Sequence, residues 1–259
     1  MSEYPLLAHL TYSQKEQLVQ EILQHHAQNG LTVVDFLYYI NYRKYRSHRT
    51  YTEALMASDF LLPDGIALRL FLARIQSWSF STFLWKKRTF LRAIPNLNGT
   101  DFIPFFLDSC ARNMLPLRIF LYGAEEKESR GAKRKLELLF PEAEIFAQNG
   151  FEPLRDEFRA EILHDPTKHT ILLVWLGTPR QELWIEENKK SLLPAKPIIF
   201  SVGGLFDFLS EKEKRSPRWI RKINGEWLYR ALTQPRKNFR KALWSTCVFY
   251  DLIFPPKEQ

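Results

Sequence analysis

The chain has 259 residues, 45% of them apolar and 14% aromatic, and a formal net charge of +8 with a pI near 9.4. That length accommodates one large α/β domain, or one domain with a smaller appendage, and so large an apolar fraction excludes a disordered chain. The charge calls for an anionic partner, which leaves nucleic acid, an anionic membrane surface and phosphate-bearing substrates open.

The stretch Met1 to Leu10 lacks a cationic segment followed by an apolar run and a small-residue cleavage site, so no secretory signal is expected. No run reaches the roughly 18 apolar residues of a spanning helix. The longest, around Ile198 to Leu209, is broken by Gly203, Gly204 and Asp207. Cys110 and Cys247 are the only cysteines, too few for a disulfide framework or a cysteine-based zinc site, and they suit a reducing compartment. The expectation is a cytoplasmic protein that meets a membrane peripherally.

Ser13 followed by Glu16 has the spacing of a capping box, and Leu18, Val19, Ile22 and Leu23 line one face of the helix it would open. Leu31 to Tyr39 is an apolar run compatible with strand or helix, and Tyr42 to Thr50 is basic and polar without a clear period. From Asp59 a strand, loop and helix unit emerges: Phe60-Leu61-Leu62, then Pro63-Asp64-Gly65, then Ile66 to Ile75. It recurs as Leu117 to Tyr122, Gly123 and the helix Glu125 to Leu139. A third copy runs from Thr170 to Leu176, through Gly177-Thr178-Pro179, into a helix ending at Leu192. A last apolar strand, Pro197 to Val202, ends at Gly203-Gly204.

Strands alternating with helices predict a Rossmann-like α/β fold, a mostly parallel sheet with helices on both faces, because parallel strands need crossovers. Ligands of such sheets bind at the carboxyl ends of the strands. Those ends carry Asp64, Gly123, Thr178, Gly203 and Gly204. Between Lys212 and Lys241 eleven Lys or Arg face only Glu213 and Glu226, interleaved with Trp219, Trp227, Tyr229 and Phe239. We therefore divide the chain into an α/β domain, residues 1–209, and a basic, aromatic, helical appendage, residues 210–259.

The segments Trp175 to Glu182 and Ser201 to Asp207 each follow a strand and open toward a helix, where free backbone N–H groups favour an anion. Neither matches the dinucleotide fingerprint or the P-loop lysine pattern. Taken alone the two segments read as ordinary turns sooner than as phosphate sites and Asp64-Gly65 as a favourable turn pair, while Glu182 and Asp207 read equally as helix-start charges. No Asp-x-Asp pair occurs and the six histidines lack ligand spacing. Neither a metal nor another cofactor is called for.

In order along the chain stand Leu62-Pro-Asp-Gly-Ile-Ala67, Asn98-Gly-Thr-Asp-Phe102, Phe120-Leu-Tyr-Gly123, Leu176-Gly-Thr-Pro-Arg-Gln-Glu182, Val202-Gly-Gly-Leu-Phe-Asp207, Arg215-Ser-Pro-Arg-Trp219 and Glu226-Trp-Leu-Tyr-Arg230. This series resembles the motifs of the WecG/TagA/CpsF transferases from about Tyr51 to Arg240. The resemblance implies inverting transfer of N-acetylmannosamine or a related sugar from a uridine-diphosphate (UDP) donor onto an undecaprenyl-diphosphate-linked sugar, in the synthesis of cell-surface polysaccharide or teichoic acid. It implies Asp64 as catalytic base and Gln181 in substrate binding, with Glu182, Asp207, Gly123, Thr178, Gly203 and Gly204 beside it. Arg215, Arg218, Arg221 and Arg230 match the basic stretch that the family uses near the diphosphate and the inner face of the cell membrane. Guanidinium groups suit that place because they bind phosphate oxygens bidentately.

The chain departs from the family in four places. Relatives often carry an arginine just before the Gly-x-Asp motif, where Asn96-Leu97-Asn98 stands here with Arg92 nearby. A substrate-contacting Thr and Asn near the N-terminus have only Asn41 as a candidate counterpart. The aromatic, basic segment Gln76 to Pro95 is longer than in typical members, and Ser210-Glu211 replaces a frequent glycine. The rival readings are a nucleic-acid-binding protein and a non-catalytic family member acting as an assembly partner. No nucleic-acid reader motif occurs, so no nucleic-acid partner is expected, and a homo-oligomer is left open.

Overall fold

The computed structural model describes residues 4–165, 167–212, 216–217, 220, 229, 232–233 and 246–256. Six strands form one sheet: β1 (Thr32–Tyr38), β2 (Phe60–Asp64), β3 (Leu117–Gly123), β4 (Glu144–Gln148), β5 (His169–Trp175) and β6 (Ile198–Ser201). Their order is β2-β1-β6-β5-β3-β4 and every pairing is parallel. The expected Rossmann-like α/β architecture is therefore present.

Side chains alternate across the sheet as the two-residue period of a strand requires. In β5, Ile171 and Leu173 enter one core layer and Leu172 and Val174 the other. The first layer is covered by α2 (Lys15–Asn29), α7 (Gly99–Arg112), α8 (Glu126–Leu139) and α11 (Leu205–Leu209), through residues such as Ile22, Phe106, Leu136 and Phe206. The second is covered by α9 (Asp156–His164) and α10 (Arg180–Leu192), through Phe158, Ile162 and Ile185. Each such fully buried side chain contributes about 1.5–3 kcal/mol.

A third cluster lies beyond the β2 edge. It joins α1 (Pro5–Ala8), α3 (Tyr39–Tyr45), α4 (Arg49–Met56), α5 (Ile66–Ile75), α6 (Phe80–Ala93) and α12 (Cys247–Ile253) around Phe71, with Leu6, Tyr42, Tyr51, Phe83 and Val248. Among the described residues beyond 209, α12 packs on the α/β domain. Its Asp251 accepts from Arg43 at 2.9 Å and from the Tyr39 hydroxyl, and its Leu252 carbonyl accepts from Arg74 at 2.7 Å.

The open run Leu31 to Tyr39 resolves as strand, in keeping with the β-branched Thr32, Val33 and Val34. The unplaced segment after it folds as α3 and α4. The Ser13 capping box does not form. The Ser13 hydroxyl donates to Glu21 two turns along, at 2.6 Å, while Gln14 occupies the cap position without a side-chain bond. Leu18, Val19 and Ile22 are buried as expected. Strand β4 and helix α9 went unexpected because β4 is an edge strand, only partly buried, and lacks a continuous apolar run.

Strand order decides where a ligand can sit. The chain leaves β3 toward β4 at one edge and leaves β5 toward β6 on the other side, so the loops after these two neighbours diverge. Such a divergence opens a crevice at the carboxyl ends of the two strands.

Candidate functional site

At that switch point Gly123 pairs with Trp175. Gly123 has φ +136, and a Cβ on it would stand 2.0 Å from the Trp175 carbonyl oxygen, so the sheet itself demands glycine here. The Trp175 carbonyl accepts from the Ala124 N–H at 2.9 Å, and the Trp175 ring meets Phe206 edge-on at 5.4 Å. That contact ties the loop after β5 to the start of α11.

The loop after β5 is closed by one carboxylate. Glu182, in the first turn of α10, accepts from the Thr178 hydroxyl at 2.8 Å and from the Gln181 amide at 3.0 Å, both on Oε1. The peptide between Thr178 and Pro179 is cis, and Gly177 lies at φ +76. Glu182 Oε2 and Gln181 Oε1 are buried and make no hydrogen bond among the described residues.

Asp64 ends β2 directly opposite Tyr38, which ends β1. Gly65 follows at φ +84, and its N–H donates to the Asn96 side chain at 3.1 Å, which fixes the turn that presents Asp64. Asp64 is half-buried. The Tyr38 hydroxyl is pushed up to about 12 by burial and then by the charges of Asp64 and Glu182, so both carboxylates are within electrostatic reach of one phenol. Asn41, in α3 just beyond β1, is buried, and its Nδ2 has no partner among the described residues.

On the remaining strand, β6, Gly203 and Gly204 lead into α11 and the buried Asp207 in its first turn. Neither glycine has a positive φ. Among the described residues a Cβ on Gly203 would meet nothing within 4 Å, and one on Gly204 only Asp207 Oδ2 at 3.9 Å. Among the described residues, backbone conformation and packing leave these two positions open to any small residue.

The carboxyl edge thus gathers Asp64, Gly123, Thr178, Gln181, Glu182, Gly203, Gly204, Asp207 and Asn41. Arg215, Arg218, Arg221 and Arg230 lie outside the described residues. The Asn98 motif serves its own helix, since Asn98 Oδ1 accepts from the Asp101 N–H at 2.9 Å and caps α7. Glu211 stands at φ +61, the left-handed region that favours glycine.

A group missed in the sequence lies beneath the edge. Asp35, in the middle of β1, is 2% exposed, and its carboxyl is pushed up to about 6, chiefly by burial, with the hydroxyls of Ser201 and Ser58 acting in the opposite sense. Glu182, 1% exposed, is pushed up to about 7 by burial and then by Asp35. The Tyr51 hydroxyl is raised well above its ordinary value by burial, Glu182 and Asp35. The available signal was a carboxylate interrupting an apolar strand, a placement rare without a specific role. A shallow groove lined by Leu31, Val33, Asp59 and Lys189 lies near the amino end of β1 and contains none of these groups.

The sequence profile of the "Glycosyl transferase WecG/TagA/CpsF family" matches residues 6–255. The chain belongs to that family. It is 31% identical over 188 residues to an N-acetylglucosaminyldiphosphoundecaprenol N-acetyl-beta-D-mannosaminyltransferase of Bacillus subtilis (strain 168). It is 25% identical over 191 residues to the protein of the same name from Staphylococcus aureus (strain MRSA252), and 24% identical over 188 residues to that from strain NCTC 8325 / PS 47. Each match covers 72% of this chain and 66% of the relative. Among the described residues of this WecG/TagA/CpsF member no helix is long and apolar enough to cross a membrane.

Proposed function

We propose that this chain is an inverting transferase that moves N-acetylmannosamine or a related sugar from its UDP form to a sugar on undecaprenyl diphosphate, at the inner face of the cell membrane. The relatives are named for transfer of N-acetylmannosamine to N-acetylglucosaminyl-diphosphoundecaprenol. The observation that carries the reading is the Gly203-Gly204 pair. These are glycines required neither by φ nor by packing among the described residues, at the same strand edge as Asp64 and Gln181. A bulky ligand that approaches the backbone there accounts for them.

In this reading Asp64 takes the proton of the acceptor hydroxyl as that oxygen bonds to the anomeric carbon and the bond from that carbon to the diphosphate oxygen breaks. UDP departs with the bonding pair. Gln181, held by Glu182, offers its free carbonyl oxygen to a sugar or nucleotide donor group. Thr178, Asp207 and Asn41 supply further polar contacts. Arg215, Arg218, Arg221 and Arg230 bind the diphosphate, where charge grows in the transition state and cations lower the barrier most. The basic residues beyond Lys212 also favour an anionic lipid surface.

The test is release of UDP from several UDP sugars in the presence of lipid-linked acceptors. Transfer from UDP-N-acetylmannosamine to an N-acetylglucosaminyl-diphosphate lipid, with inversion, is the expected outcome. Absence of acceptor-dependent release from every donor would refute the reading.

A further inference from the structure

Helix α6 and the turn before it present an unusual surface. Trp78 is 99% exposed and Trp85 82%, and Phe80 and Leu84 also reach solvent, while Phe83 is the one fully buried side chain of the helix. Soluble surfaces tolerate scattered apolar residues, but two tryptophans left bare within eight residues of chain mark a contact. The exposed cations Lys86, Lys87, Arg88 and Arg92 stand among them, with Lys86 Nζ 5.7 Å from the Trp85 ring centre. Trp85, Arg88 and Arg92 share one helix face at i, i+3 and i+7, opposite Phe83 and Phe90. Between Asp64 and Asp101 there are six Lys or Arg and no Asp or Glu.

A second exposed aromatic face lies on α12, which packs on the same helix α5 as α6 does. That helix buries Val248, Asp251 and Leu252 and exposes Phe249, Tyr250, Ile253 and Phe254. Arg74 of α5 joins the two, donating to Leu252 O at 2.7 Å and to Ser77 O, next to Trp78, at 3.5 Å. The far end of α6 reaches the site. Arg69 donates to the carbonyls of Ile94, at 2.7 Å, and Leu91, and Asn96 two residues later accepts from Gly65 beside Asp64.

We propose that the face formed by Trp78, Leu84, Trp85, Lys86 and Arg88 of α6, with Phe249, Ile253 and Phe254 of α12, is a docking surface for an anionic phospholipid bilayer. It brings the Asp64 loop to the membrane. The inference rests on the reading of a lipid-linked acceptor, since such an acceptor presents its diphosphate at the headgroup level. Tryptophans at that level with cations around them match the chemistry of the interface, apolar below and anionic above.

The experiment is co-sedimentation of the full chain with vesicles of phosphatidylcholine alone or with roughly one-third phosphatidylglycerol, at low salt and without sugar nucleotide. The chain binds the anionic vesicles selectively. Lys86→Gln with Arg88→Gln lowers partitioning about fivefold per cation, about 25-fold together, and Trp78→Ser with Trp85→Ser also lowers it. Both variants replace exposed side chains and keep wild-type thermal unfolding. They also keep wild-type turnover on a water-soluble short-chain acceptor and lose it on a vesicle-embedded one. Equal binding by wild type and variants, or equal binding to both vesicle types, overturns the proposal. So does a wild-type dimer in sedimentation velocity that the tryptophan variant makes monomeric without changing vesicle binding, because the occupant is then a second copy. If no acceptor of either kind is turned over, the transferase reading fails while the vesicle result stands.

Discussion

Replacing Asp35 with asparagine should make the protein more stable at pH 8, by a margin that shrinks as pH falls and vanishes only below about pH 4. Asp35 and Glu182 are both held above their ordinary carboxylate values, at about 6 and about 7. Between about pH 4 and pH 7 the folded chain therefore binds more protons than the unfolded chain. For a raised carboxyl, stability is full below the unfolded pKa and is lost as pH rises through the folded one. Each shift is about two units, and one unit corresponds to about 1.4 kcal/mol. Burial is the first cause of each shift and the charge of Asp35 enters only that of Glu182, so the two costs are largely separate and the pair together loses on the order of 6 kcal/mol. The Asp35→Asn substitution removes its own share and lets Glu182 ionise more readily, which should recover about 3 kcal/mol at pH 8. His26 and His169 are lowered chiefly by burial, so their contribution is present above about pH 6.5 and lost as pH falls, the opposite sense. The difference between wild type and variant cancels them. Urea unfolding at pH 5, 6, 7 and 8 provides the measurement. A wild-type-minus-variant difference that does not change with pH would refute the buried pair.

Asp64→Asn should lower turnover by about 10² to 10⁴ with little change in donor affinity, and near-normal turnover in steady-state assays would return Asp64 to a turn residue. Gly204→Ala should leave stability within about 0.5 kcal/mol of wild type, since φ is ordinary and the space open among the described residues. The same change should raise the donor KM about tenfold or more, and an unaltered KM would remove the ligand from that edge. Gly123→Ala should cost on the order of 3 kcal/mol or more in chemical denaturation, because the new Cβ collides with the backbone of Trp175. Activity should survive a chelator, since the chain has no Asp-x-Asp pair and has arginines for the diphosphate. Loss restored by magnesium or manganese would contradict this.

Much of the carboxyl edge was legible in the sequence because its signals are local. A strand of Leu and Ile that stops at Asp64-Gly65, Gly123, Gly177 or Gly203-Gly204 announces both its end and its turn within a few residues. The order of the motif series was enough to indicate the family. Three things depended on the tertiary arrangement. The first is why each glycine is glycine: Gly123 is demanded by the neighbouring strand, whereas Gly204 is demanded by nothing in the described fold. The second is the pairing of Asp35 with Glu182, far apart in the chain, which exists only because β1 pairs with β6 and α10 packs against α4. The third is the exposed face of α6. In the sequence its segment stood out only as aromatic, basic and longer than in typical members, and the packing on α5 showed which aromatics were left outside. Local patterns determine elements and turns through short-range sterics and burial period. Which side chains share low dielectric, and which stay bare, is set by contacts between segments far apart in the chain.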